Sequence, residues 1–350
     1  VVSIHGYYTL RNAYKVLVAT GATTPDSSLS EGKFIDAYHN AVAFNFMNAL
    51  NRGDISVFYC NDSVMGGHND EEKRTTIAEM LEKLSGMNIY PVSGAGYTAV
   101  LFRDYAGLVA KARQRPHLAI ISVNLRSFSD DWLFTPRWEY AATAAYLRLL
   151  ADEASLGDML HWVWSGQQDP AAFWLDRARL TATPYGELFQ RLNGRRDALL
   201  AEAAPGLSPE DLSRRTHFIN NYMTQISPDH PMLGYLSDTA HRLTQAGVDV
   251  LFYLTPIDIQ GGAQLVGKEF AATVADNSHI IVQTLRAAGA ACLDLTTLLP
   301  QDRFVDREYA CEHLDLEGRR RVAEALAAAI GQTASGAAST GGRARKEQDQ

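Results

Sequence analysis

Five short apolar runs, rich in β-branched and aromatic residues, alternate with stretches of helical spacing, and this alternation constrains the fold most. The runs are 55–60 (ISVFYC), 88–92 (NIYPV), 118–123 (LAIISV), 249–255 (DVLFYLT) and 291–296 (ACLDLT). A near-continuous apolar run suits a strand covered on both faces, as in a parallel sheet. Helical patterns lie between the runs, for example over 75–84 and 106–113. The pattern predicts a doubly wound α/β fold around a mainly parallel five-stranded sheet.

The third and fourth runs are far apart in the chain. Residues 128–230 read as several helices, with apolar helical spacing over 139–150 and 186–203. All tryptophans fall in this segment: Trp132, Trp138, Trp162, Trp164 and Trp174. We expect a helical insertion between strands 3 and 4, either an added layer with its own small core or a cap that shapes a pocket. The chain then divides into an N-terminal helical segment (1–50), an α/β core (51–127 and 231–332), the insertion (128–230) and a tail (333–350). The tail is Ala/Ser/Gly-rich and then charged, which predicts disorder.

Composition excludes several function classes. A net charge of -8 gives no basic footprint, so no nucleic-acid partner is expected. Cys60, Cys292 and Cys311 include no CxxC pair, which speaks against a disulfide framework and a thiolate zinc site. No run of about 18 apolar residues occurs, so no membrane-spanning helix is expected. No metal or cofactor is expected, and the compartment is not fixed by these features.

Ligands of open parallel sheets bind beyond the carboxyl ends of the strands, so the residues after each run carry the functional argument. Asn61-Asp62-Ser63 follows the first run. A serine there stands on a rigid support with its hydroxyl free, as a nucleophile requires, although Asp62 and Ser63 also suit a turn or helix cap. Ser93-Gly94-Ala95-Gly96 follows the second run, and glycine lets a backbone N–H aim into a site. Asn124 follows the third, and its amide is a neutral donor suited to an oxyanion. His313 precedes a strong helical pattern over 319–330, which places it in a loop at the sheet edge. An imidazole there can take a serine proton near neutral pH.

Together these blocks resemble the SGNH/GDSL hydrolase superfamily. That family has a serine block after the first strand, a glycine after the second, an asparagine after the third and a late histidine block. Here they read NDS (Ser63), SGAG (Gly94, with Gly96 as the alternative), VNL (Asn124) and HLDLEG (His313). The match covers about 50–125 and 245–330, and the layout with its insertion resembles the branch containing the DltD-like and alginate-acetylation proteins. The resemblance implies a flavodoxin-like SGNH fold and a serine esterase or O-acyltransferase. It implies Ser63 as nucleophile, His313 as base, and an oxyanion site from the Ser63 and Gly94 N–H groups and the Asn124 amide. It also implies an acylated small molecule, glycan or cell-envelope polymer as substrate and an extracytoplasmic setting. For the DltD-like branch it implies a membrane-bound acyl donor as partner.

Two departures stand out. Asn61 occupies the position where the family usually has glycine, and Ala310 occupies the position of the acid three residues before the histidine. Asp306 is then the expected acid, with Glu312 as the alternative, Asp315 as a third option and a Ser–His dyad without a carboxylate as the remaining one. Two rival readings remain open at this level. One is an inactive SGNH-like scaffold that binds carbohydrate through its tryptophans. The other is a metal-dependent phosphoesterase using His68, Asn69 and Asp70, whose composition equally suits a solvated segment leading into a helix.

Overall fold

The structure, a computed structural model, describes residues 31–65, 75–94, 96–129, 132, 140–155, 157, 185–305 and 312–344. Helix α1 (Glu31–Arg52) leads into β1 (Val57–Asn61), α2 (Ile77–Ser85), β2 (Ile89–Ser93), α3 (Ala99–Lys111) and β3 (Leu118–Val123). The segment after β3 carries α4 (Ala141–Leu150), α5 (Tyr185–Ala201) and α6 (Pro209–Tyr222). The chain then returns through α7 (Pro231–Gln245), β4 (Asp249–Leu254), α8 (Ile259–Val266), α9 (Glu269–Ala287), β5 (Ala291–Asp294) and α10 (Leu316–Ala344).

The sheet is parallel throughout, in the order β2-β1-β3-β4-β5. This is the α/β class expected from the alternating runs, with helices inserted between the third and fourth strands. Every residue of β1 is buried, because helices cover both faces. Pro91 sits opposite Tyr59 in β2, an edge strand paired on one side only, where its missing N–H is tolerated.

Side-chain alternation along the strands splits the interior into two cores. Phe58, Cys60, Ile121, Val123, Phe252 and Leu254 face the larger one, shared with α1, α3, α7 and α9. Val57, Tyr59, Ile120, Leu251 and Tyr253 face the smaller one, shared with α2 and α10. Each fully buried apolar side chain of this kind contributes about 1.5–3 kcal/mol relative to exposure.

Local signals fix the ends of the helices. Thr76 and Glu79 form a capping box at the start of α2, and Gly86 ends it in the left-handed region at φ 69°. Helices α6 and α7 each open with a side-chain cap followed by proline, Ser208-Pro209 and His230-Pro231. Strand β5 ends at Asp294, whose carboxylate accepts the N–H and hydroxyl of Thr296 and so turns the chain. Helix α10 runs on past Thr333, where the tail was expected to begin, to Ala344. Alanine is the strongest helix former, and extending an existing helix avoids a new nucleation step. Among the described residues no helix is long and apolar enough to cross a membrane.

The chain winds from β1 to β2 on one side and returns to β3 on the other. The carboxyl ends of β1 and β3 therefore flank the switch point of the sheet, the place where open α/β sheets bind their ligands.

Candidate active site

The serine turn is built on β1 by short-range hydrogen bonds. Asn61 Oδ1 accepts the Asp62 N–H at 2.7 Å, and Asp62 Oδ1 accepts the Val64 N–H at 3.0 Å. These bonds wind Ser63–Met65 into a 3-10 turn that leaves Ser63 half-buried. Asn61 Nδ2 donates to the hydroxyls of Tyr59 and Tyr253, each at 2.8 Å, and those hydroxyls lie 2.6 Å apart. Burial holds both phenols above their ordinary pKa, so they remain protonated. The departure from glycine at position 61 thus supplies a side chain that anchors the turn to two strands.

The turn after β3 packs directly against the serine turn. Asn124 caps the 3-10 turn Leu125–Phe128, its Oδ1 accepting the Arg126 N–H at 3.1 Å. Its Nδ2 donates to Asp62 Oδ2 at 2.9 Å. The far end of this turn is held from α7, where His230 Nε2 meets the Phe128 carbonyl at 2.9 Å. His230 Nδ1 accepts the Met232 N–H at 3.2 Å. Burial lowers the His230 pKa from 6.5 to about 4, so the ring is neutral and Nε2 is the donor.

Arg126 lies inside this arrangement, only 5% exposed. Its Nη2 is 3.3 Å from Asp62 Oδ2 and 3.4 Å from Ser63 Oγ, and its Nη1 is 3.0 Å from Glu312 Oε2. The Trp132 ring covers the guanidinium, 4.5 Å from its carbon to the ring centroid.

The histidine loop precedes α10. The His313 carbonyl accepts the Val305 N–H at 3.0 Å, beside an antiparallel bridge between Phe304 and Leu314. Asp315 caps α10 by accepting the Gly318 N–H at 2.6 Å, and its other oxygen meets Arg303 Nη1 at 3.0 Å. Glu312 is 1% exposed and accepts the Tyr222 hydroxyl of α6 in addition to pairing with Arg126. The loop carries His313 Nε2 to 2.9 Å from Ser63 Oγ, across 250 residues of sequence. A neutral imidazole with its proton on Nδ1 accepts the serine proton at this distance.

The structure therefore brings Ser63, Asn124 and His313 to one crevice. Gly94 stands at the end of β2, next to the end of β1, where Ser93 is in register with Asn61. A Cβ at Gly94 would fall 2.4 Å from the Tyr97 ring and 2.6 Å from the His39 ring, so packing alone requires glycine there. Gly96, the alternative, has a left-handed φ of 73°. Asp306, the expected acid, lies outside the described residues. So do His68, Asn69 and Asp70 of the phosphoesterase reading, Cys311, and Trp138, Trp162, Trp164 and Trp174 of the insertion.

Glu312, the alternative acid, is engaged by two other groups: its Oε1 accepts the Tyr222 hydroxyl and its Oε2 pairs with Arg126. Asp315 is likewise engaged, by Gly318 and Arg303. Sequence reasoning missed Arg126 and Tyr222. The run Val123-Asn124-Leu125-Arg126 places the arginine two residues past a candidate donor, which is a usable signal. Tyr222 has none, since only folding brings α6 to the histidine loop. Among the described residues no cluster of ligating side chains could hold a metal ion.

The chain is similar to two solved esterases. One is a mutant of an acetyl-xylooligosaccharide esterase from Geobacillus Stearmophilus, at 13% identity and a TM-score of 0.37, covering 79% of this chain and 93% of that one. The other is the native aryl esterase of M. Smegmatis, at 10% identity and a TM-score of 0.34, covering 79% of this chain and 99% of that one. No family model matches the chain, and no curated protein matches it.

Proposed function

We propose that this chain is a serine esterase of the SGNH kind, acting on an acylated carbohydrate or small molecule through a Ser63 acyl-enzyme. The observation that carries the reading is the 2.9 Å contact between Ser63 Oγ and His313 Nε2 at the switch point of a parallel sheet. His313 takes the Ser63 proton as Oγ attacks the ester carbonyl. The oxyanion is bound by the backbone N–H groups of Ser63 and Gly94 and by the second N–H of the Asn124 amide, the first being held by Asp62. The intermediate collapses, and the leaving alcohol takes the proton from His313. Water, deprotonated by His313, then attacks the acyl-enzyme and releases the carboxylic acid. A sugar hydroxyl in place of that water makes the same site an O-acyltransferase. Asp306 is the proposed acid for Nδ1 of His313, since Glu312 and Asp315 are held elsewhere.

The test is labelling by a fluorophosphonate probe together with hydrolysis of p-nitrophenyl acetate. Ser63→Ala should abolish both while the protein stays folded. Label persisting on that variant, or a wild-type protein that neither labels nor turns over, would overturn the reading.

A further inference from the structure

Asp62 and Glu312 are the residues immediately before Ser63 and His313, and a single buried guanidinium reaches both. We propose that Arg126 is a positioning residue that sets the Ser63–His313 geometry, with Glu312 and Tyr222 extending its hold into the helical insertion. This rests on the esterase reading above.

The two loops come from distant parts of the sequence, and Arg126 joins them at the crevice, with Nη2 on Asp62 at 3.3 Å and Nη1 on Glu312 at 3.0 Å. All three side chains are nearly fully buried, so neither carboxylate has bulk water as an alternative partner. Asp62 accepts a hydrogen bond from the guanidinium and Glu312 meets it as an ion pair, so one rigid planar cation holds both carboxylates at once. The Trp132 ring covers the guanidinium and so limits its orientation. Glu312 is then fixed from its other oxygen by Tyr222 of α6. The insertion thereby helps to place the base.

The experiment measures the rate of Ser63 phosphonylation by a fluorophosphonate, in which the Oγ–P bond forms, fluoride leaves and His313 receives the proton. Arg126→Gln should lower the maximal inactivation rate about 100-fold with little change in the probe's half-saturation concentration, the scale expected for misplaced reacting groups. Arg126→Lys should recover only part of that loss, and added ethylguanidinium should partly restore Arg126→Ala. Tyr222→Phe and Glu312→Gln, milder changes for the case in which the arginine variants do not fold, should each slow labelling by about 3- to 10-fold. Wild-type rates in the folded arginine variants, or in both milder variants, would overturn the inference while leaving the esterase reading intact. Absence of labelling in the wild type would instead remove the esterase reading itself.

Discussion

The serine turn and the histidine loop meet at one crevice but are held in different ways. The serine turn is wound by its own neighbours, Asn61 bonding to Asp62 and Asp62 to Val64, and is then braced from afar by Tyr253, Asn124 and Arg126. It also sits on a central, fully buried strand. The histidine loop depends on distant groups: Glu312 on Tyr222 and Arg126, and Asp315 on Arg303. Local bonds can be inferred from adjacent residues, whereas distant ones exist only once the chain has folded. The turn of Ser63 is accordingly wound by local bonds before distant ones brace it, whereas the loop of His313 rests mainly on the tertiary structure.

Three substitutions sharpen this contrast. The largest effect is expected from His313→Gln, which removes the proposed base while leaving the serine turn intact. Ester turnover should fall by about 10³-fold, measured with p-nitrophenyl acetate. A loss below about tenfold would mean that the serine turn does not depend on this loop.

A smaller effect is expected at Asn61. Asn61→Gly removes the side chain and deprives Tyr59 and Tyr253 of their common donor. Stability should drop by about 1–3 kcal/mol in urea unfolding, with far less loss of turnover than in His313→Gln. Unchanged stability would show that the tyrosine pair does not anchor the turn.

The smallest effect on turnover concerns His230, which ties the end of the Asn124–Phe128 turn to α7. Its folded pKa of about 4 lies below the unfolded value near 6.5, so protonation favours the unfolded chain. The stability it supports is complete above pH 6.5 and is lost as the pH falls toward 4, by about 3 kcal/mol in all. His230→Asn keeps a capping side chain and should flatten this dependence relative to wild type. An equal change in stability between about pH 7 and pH 4.5 for both proteins, read by urea unfolding, would remove the claim.

The sequence alone determined the five strands, the burial of the three central ones on both faces and the residues that follow each strand. Those properties depend on local apolar patterning and on the rule that parallel sheets bind at their carboxyl ends. It also placed Ser63, Asn124 and His313 as candidates for one crevice. Only the tertiary structure decided that Arg126 bridges the two loops and that Tyr222 joins them from the insertion. The meeting of Tyr222 with Glu312 spans 90 residues of chain, and no local pattern encodes such a contact. The same limit explains α10: composition marked its end as unlike a core, while helix propagation from a packed start carried it to Ala344.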